Sequence, residues 1–273
     1  MGYIKEISSI QNPLVRHMLQ LRDKSRERNK NGRFVIEGTK EMELAIKGNY
    51  TLKTVLYCPK LIARDRVAHL VKDLSPVPEI MEISMEIFRK LAYRESSGGI
   101  LALAITKEHG LEKLQIKNKK PLILVAEAPE KPGNIGALLR TADAAGLDAI
   151  IIANAKTDLY NPNIIRSSVG CLFTTNIGMG TTEEVIGFLK NNNIAIHCAA
   201  LNASMAYTQV NFTGATAIVV GTEATGLSSE WLDRSDQNLI IPMQGEIDSM
   251  NVSVSAAILI FEAKRQRDSP SAP

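Results

Sequence analysis

From Phe34 onward, short apolar runs alternate with amphipathic stretches along most of the chain. Residues 34–38 (FVIEG), 54–58 (TVLYC), 79–84 (EIMEIS) and 99–106 (GILALAIT) predict strands, separated by helical patterns over 40–47, about 61–72 and 85–91. From Pro121 the alternation resumes. PLILVAEA (121–128), DAIIIA (148–153), LFTTNI (172–177), IAIHCAA (194–200), TAIVVG (216–221) and NLIIP (238–242) predict strands. Helices are predicted over 134–145, stopped by Gly146, and over 163–169, 182–190 and 229–233. Continuous apolar strands such as ILVA and AIVVG need a mostly parallel sheet covered on both faces. A last helix starts near Asn251 and is apolar almost all round from Val252 to Phe261, which predicts burial on several sides. At the other end, Leu14, Met18 and Leu21 mark an amphipathic helix from Pro13 that is expected to run on into the basic segment RDKSRERNKNGR.

These patterns divide the chain into a basic helical arm (1–33), a small α/β domain (34–106), a polar linker (107–120), a larger α/β domain (121–268) and a tail (269–273). The net charge of +3 conceals an uneven split. Residues 1–119 hold 22 Lys and Arg against 14 Asp and Glu, a net of +8, and residues 120–273 hold 10 against 15, a net of −5. Clustered cations in the first part fit a polyanionic partner, because neutralised phosphates release counterions. Arg16, Arg22, Arg26, Arg28 and Arg33 in the arm, and Arg94 beside the turn Ser96–Gly99, are the candidate phosphate contacts; a solvated helical face and a plain glycine turn are the competing readings.

Three scattered cysteines (Cys58, Cys171, Cys198) form no disulfide framework, and the four histidines show no metal-ligand spacing, so no metal is expected. No apolar run reaches the roughly 18 residues of a membrane helix, and the start MGYIKEISS has no apolar signal core, so a cytoplasmic protein without membrane attachment is expected. The glycine turn Pro132–Gly136 lies between a strand and a helix, but it lacks G-x-G-x-x-G and no acidic residue ends the next strand, which argues against a dinucleotide site.

On the helix over 134–145, Ile135, Leu138, Leu139 and Ala142 share one face and Arg140 points away among small residues, where a substrate has room to approach. Gly221 ends an apolar strand, so backbone there can meet a ligand without an intervening Cβ. Ser249, Met250 and Asn251 open the last helix and place backbone N–H groups, a hydroxyl and an amide at the mouth of a core.

Three segments in order, EAPEKPGNIGALLRTADAAG (127–146), IVVGTEATGLS (218–228) and IPMQGEIDSMNVSVSAA (241–257), resemble the three signatures of the SpoU (TrmH-like) RNA 2'-O-methyltransferases of the SPOUT superfamily. RFVIEGTKEMELAI (33–46) and SSGGILALAI (96–105) are similar to the RNA-binding domain that many of these enzymes carry, which itself resembles certain ribosomal proteins. The resemblance implies an α/β-knot (trefoil) domain around the second and third signatures, which nothing in the periodicity reveals. It also implies S-adenosylmethionine as methyl donor and a homodimer through the catalytic domains, with the last helix at the interface.

By the same resemblance Arg140, Asn134, Glu223, Ser249 and Asn251 form the catalytic set, and Gly221, Ile241, Met243, Met250 and Leu201 hold the cofactor. The implied reaction moves a methyl group to a ribose 2'-hydroxyl of RNA, ribosomal RNA first. Transfer RNA is the alternative substrate, and a non-catalytic RNA-binding or assembly factor on the same scaffold is the alternative function. Arg140 either takes the hydroxyl proton in an unusual environment or hydrogen-bonds the hydroxyl and a neighbouring phosphate while another group takes it, since a guanidinium ordinarily keeps its proton.

Overall fold

The elements follow in order β1 (Lys5–Ile7), α1 (Pro13–Asp23), α2 (Ser25–Asn31), β2 (Arg33–Glu37), α3 (Thr39–Lys47), β3 (Leu52–Tyr57), α4 (Arg64–Val71), β4 (Glu79–Ile83), α5 (Met85–Leu91) and β5 (Ile100–Ile105). They continue as β6 (Leu122–Glu127), α6 (Pro132–Ala145), β7 (Ala149–Ala153), α7 (Pro162–Ser167), β8 (Ile177–Gly180), α8 (Thr182–Asn191), β9 (Ala195–Ala199), β10 (Met205–Ala206), β11 (Thr216–Val220), α9 (Ser229–Arg234), β12 (Gln237–Ile240) and α10 (Val252–Asp268). This is a computed structural model, and it describes residues 5–93, 98–201, 203, 205–222, 224–247 and 249–268.

The chain forms two units. The first runs up to Lys107 and also takes Asp158–Thr174; the second takes Glu108–Thr157 and the chain from Thr175 on. In the first unit a five-stranded mixed sheet has the order β1-β4-β3-β5-β2. Beneath it, Val15, Met18 and Leu21 of α1 and Ile87, Phe88 and Leu91 of α5 share a core with Leu56, Leu101 and Leu103 of the strands.

The arm is not one continuous helix. Lys24 is extended (φ −123°, ψ 113°) and separates α1 from α2. Arg28 folds back so that its Nη1 donates to the carbonyls of Leu21 (2.6 Å) and Arg22 (3.0 Å), satisfying acceptors that the end of α1 leaves open. The same guanidinium, itself buried, pairs with the largely buried Asp158 at 2.6 Å.

The excursion Asp158–Thr174 changes the expected picture in two ways. The helix expected around 163–169 forms as α7 but belongs with the first unit, so the stretch 121–268 is interrupted. LFTTNI is not a strand from its start: Cys171–Phe173 make a single 3-10 turn and the strand begins at Ile177. The cause is packing. Phe173 and Tyr160 stack on Phe34, with centroids 5.9 and 4.4 Å away, so these apolar residues serve the first core. The fit is tight at Gly48, where a Cβ would lie 1.9 Å from the Phe173 carbonyl oxygen.

The second unit holds a seven-stranded, all-parallel sheet in the order β10-β12-β9-β11-β6-β7-β8. Its core includes Ile123, Val125, Ile151, Val185, Leu189, Ile196, Val219 and Trp231. The segment expected as a polar linker has structure on this unit: Met179 N–H donates to the His109 carbonyl at 2.6 Å, and Leu111, Leu114 and Ile116 pack on the core. The last helix differs most from expectation. Only Ala256, Leu259, Ile260 and Ala263 of α10 are buried, one face at helical spacing, whereas Val254 (48%) and Phe261 (52%) are exposed. No helix among the described residues is long and apolar enough to cross a membrane.

Candidate active site

In a parallel sheet every strand ends on the same edge, and ligands gather at that edge. Strands β12, β9 and β11 are neighbours there. The loops that leave them, at Ile241–Met243, Ala200–Leu201 and Gly221–Leu227, surround a cavity of about 410 Å³ together with Ser249, Met250, Val252 and Ser255. All five residues expected at the cofactor, Gly221, Ile241, Met243, Met250 and Leu201, line it. They are brought together by strand order, since 49 positions separate Leu201 from Met250.

Gly221 is needed for a reason other than the one its sequence suggests. The chain turns back after β11, with Thr222 and Gly226 exchanging backbone hydrogen bonds of 3.0 and 3.1 Å. A Cβ on Gly221 would lie 2.2 Å from the Gly226 carbonyl carbon and 2.4 Å from the Leu227 nitrogen. The space beside Gly221 is therefore filled by the chain's own backbone and not kept clear for a ligand. Gly226, at φ +69°, supplies the left-handed conformation that closes the turn.

This loop has an anchor that the sequence did not single out. Glu127 ends β6, is buried, and accepts hydrogen bonds from Ser228 N–H (2.8 Å), Ser228 Oγ–H (2.7 Å) and Thr182 Oγ1–H (3.2 Å). Ser228 directly follows Leu227 and immediately precedes α9, so the carboxylate at the end of β6 holds the Gly221–Leu227 loop to the neighbouring strand. The available signal was an acid ending the apolar run LILVAE; a charge there is only tolerable if it is hydrogen-bonded.

Asn251 is the amino-terminal cap of α10. Its Oδ1 accepts from Ser253 N–H at 2.9 Å and from Ser253 Oγ–H at 2.6 Å. Its Nδ2 donates to Asn134 Oδ1 at 3.1 Å, which ties the opening of α10 to the first turn of α6. The two helices also pack against each other. Asn134, Ser249 and Asn251 thus converge at the mouth of α10, with Ser249 on the cavity wall.

Arg140 is exposed on α6, opposite the buried Ile135, Leu138, Leu139 and Ala142, as its helix position predicts, and it does not line the cavity. Glu223 and Arg94 lie outside the described residues. Of the basic candidates, Arg16, Arg26 and Arg33 are exposed and Arg22 is half-buried. Arg28 is a correction: at 3% exposure, with its guanidinium spent on α1 and Asp158, it has no face for an RNA phosphate.

Near the site, burial pushes the Cys198 thiol up to about 12, with the charges of Glu127 and Asp236 acting in the same direction. The thiol is therefore held protonated and is no nucleophile.

Comparison with known proteins matches residues 121–261 to the SpoU rRNA methylase family and residues 12–102 to the MRM3-like substrate binding domain. Over 268 residues the chain is 30% identical to the 23S rRNA (guanosine(2553)-2'-O)-methyltransferase RlmP of Bacillus subtilis, covering 96% of this chain and all of that one. A crystal structure of an RNA 2'-O ribose methyltransferase superposes with a TM-score of 0.82 at 36% identity, covering 96% of this chain and 99% of that one. The SpoU methyltransferase AviRb from Streptomyces viridochromogenes, solved with the cofactor AdoMet, superposes at 0.85 with 25% identity, covering 95% and 99%.

Proposed function

Because this chain belongs to the SpoU rRNA methylase family, we propose that it transfers the methyl group of S-adenosylmethionine to a ribose 2'-hydroxyl of ribosomal RNA. The observation that carries the reading is the convergence of the second and third signature stretches on one cavity, with the first tied to it through the Asn134–Asn251 hydrogen bond. The cavity is within the roughly 300–1,000 Å³ usual for small-molecule sites. Apolar Leu201, Ile241, Met243 and Met250 suit an adenine ring, and the loop backbones suit the polar edge of an adenosine. When bound there, S-adenosylmethionine supplies an electrophilic methyl group on a sulfonium centre.

The chain's own part is placement. An attacking oxygen must stand in line with the breaking bond, and holding it there accounts for much of a rate enhancement. Asn251 fixes the opening of α10 and Asn134 fixes α6 against it, so Ser249, in the segment leading into α10, and Arg140, on α6, are held with a defined offset. Arg140 is the residue we assign to the 2'-hydroxyl and its neighbouring phosphate, and Glu223 belongs to the same set by its place in the second signature.

The exposed Val254 and Phe261 support a homodimer through α10, a second copy covering the side that one chain leaves bare. A trefoil knot is the reading we give the second unit. It is supported by β11 lying between β9 and β6, by α10 packing on α6, and by Arg267 near the end of α10 donating to the Lys120 (2.6 Å) and Pro121 (3.2 Å) carbonyls, where this unit's first long strand starts. Residues 12–102 are read as the RNA-binding domain, with Arg16, Arg26 and Arg33 on its phosphate side, and the compartment as the cytoplasm, where ribosomal RNA is met.

Methyl transfer from labelled S-adenosylmethionine to total RNA, with 2'-O-methyl positions mapped, tests the assignment. One labelled ribose in ribosomal RNA is expected. Label confined to transfer RNA would overturn the substrate, and no label on free RNA or on ribosomal particles, with the protein shown to bind the cofactor, would overturn the reaction.

A further inference from the structure

The first unit holds a second cavity, about 310 Å³, at some distance in sequence from every signature residue. Its floor is apolar, with Val35, Leu91 and Ile165. Its rim carries Tyr93, Arg166 and Lys40. The Arg166 guanidinium carbon sits 5.0 Å from the centroid of the Tyr93 ring, an arginine stacked on an aromatic face, and its Nη2 is steadied by Asn163 Oδ1 at 3.0 Å. Tyr93 is half exposed (51%), yet its backbone N–H is fixed by the Glu37 carboxylate at 2.7 Å. One wall is the opening of α3, Gly38–Glu41; the Gly38 N–H is taken by the Ile100 carbonyl (3.2 Å), and the N–H groups from Thr39 on and the helix dipole favour a negative group.

A planar cation–aromatic pair, an apolar floor and one helix opening with an adjacent lysine form a combination suited to a flat ring bearing a single anionic group. Glu37 and Glu41 in the same lining oppose a bare polyvalent anion but accept from the N–H groups of a base. The cavity has room for one residue of a strand and none for a helix. RNA is read in this manner where bases are unpaired and can leave the stack. We propose that this cavity binds one unpaired nucleotide of the substrate RNA, its base against Tyr93 and Arg166 and its phosphate at Lys40 and the opening of α3. The inference rests on the reading of the protein as acting on RNA, and it gives the excursion Asp158–Thr174, which carries Arg166, a part in substrate recognition.

Fluorescence anisotropy of the full chain with a labelled single-stranded ribo-oligonucleotide and with its duplex tests this. Tyr93→Ala and Arg166→Ala are each expected to weaken single-strand binding about tenfold, the size of one lost base stack, while Tyr93→Trp retains it and duplex binding is unchanged. Lys40→Gln is expected to lower the slope of log affinity against log salt by about 0.7, one phosphate of a single strand. Tyr93 is on the surface, and a two-unit thermal unfolding profile matching that of the natural chain establishes that each variant is folded in the unit it alters. Unchanged single-strand affinity in folded Tyr93→Ala and Arg166→Ala, equal losses on duplex and single strand, or no binding of the single strand by the natural chain would each overturn the proposal. A natural chain that methylates RNA while these variants bind it normally removes the pocket alone. Binding that depends on Tyr93 without any methyl transfer removes the reaction and leaves the pocket.

Discussion

Arg140 and Arg28 are the same side chain with opposite duties, and burial separates them. The Arg140 side chain makes no ion pair or hydrogen bond among the described residues, so its removal breaks none. In the role we propose for it, Arg140→Ala is expected to lower methyl transfer by roughly 10²-fold or more, the size of one lost transition-state contact, with cofactor affinity and thermal stability near those of the natural chain. Single-turnover rates beside calorimetry check this; retained turnover would remove Arg140 from the mechanism. Arg28→Ala has the reverse signature. It strands the buried Asp158 carboxylate and uncaps α1, which is expected to cost about 3–5 kcal/mol in a denaturant titration. A loss below about 1 kcal/mol would contradict the buried pair. The exposed Arg140 could be placed from helical periodicity alone, but a basic run gives no sign of which of its members is turned inward. That depended on Asp158, 130 positions away.

The loop after β11 and the start of α10 are the elements on which the site depends. Gly221→Ala drives a methyl group into the Gly226–Leu227 backbone, where neither partner is a flexible side-chain end. Overpacking of this kind costs about 1–3 kcal/mol, and the strain falls on the cavity wall, so S-adenosylmethionine binding is expected to drop well beyond what the stability change explains. Calorimetry alongside thermal unfolding separates the two; normal affinity would show that the turn does not shape the site. At the start of α10, Asn251→Ala removes the cap and the tether to Asn134 together. About 1 kcal/mol of stability is expected to be lost with the cap, and a larger loss of turnover than of cofactor affinity is expected from the freed helix. Asn251→Asp keeps the capping oxygen but not the amide donor, so restored stability without restored turnover would assign the tether its own part. The start of the helix near Asn251 was legible because a long apolar run follows it. The tether was not, because it joins residues 117 apart.

At the scale of the whole molecule, stability is tied to pH through a buried histidine. His197 sits in β9 at 7% exposure beside Phe212, with no hydrogen-bond partner for Nδ1 among the described residues. Burial lowers its pKa from the ordinary 6.5, against the opposing influence of the Ala195 backbone and the Asp236 charge. The folded chain therefore holds it neutral where the unfolded chain has begun to take up a proton, so unfolding binds a proton. Its contribution is complete above about pH 6.5 and is lost as pH falls from there through the lower folded value. Denaturant midpoints measured from neutral to mildly acidic pH are expected to decline over that window and to flatten in His197→Phe; a natural chain with a flat profile would show that the site is hydrated. The amino-acid sequence by itself determined the alternation of strands and helices, the parallel character of the larger sheet, the exposed position of Arg140 and the polar opening of α10. Each of these follows from local propensity and periodicity. Only the tertiary structure decided that Lys24 breaks the arm, that Phe173 and Tyr160 serve the first core, that Glu127 anchors the Ser228 loop, and that one face of α10 stays bare. The physical reason is common to all four: each depends on which distant surface a segment is packed against or left without, and strand order, not sequence distance, sets that pairing.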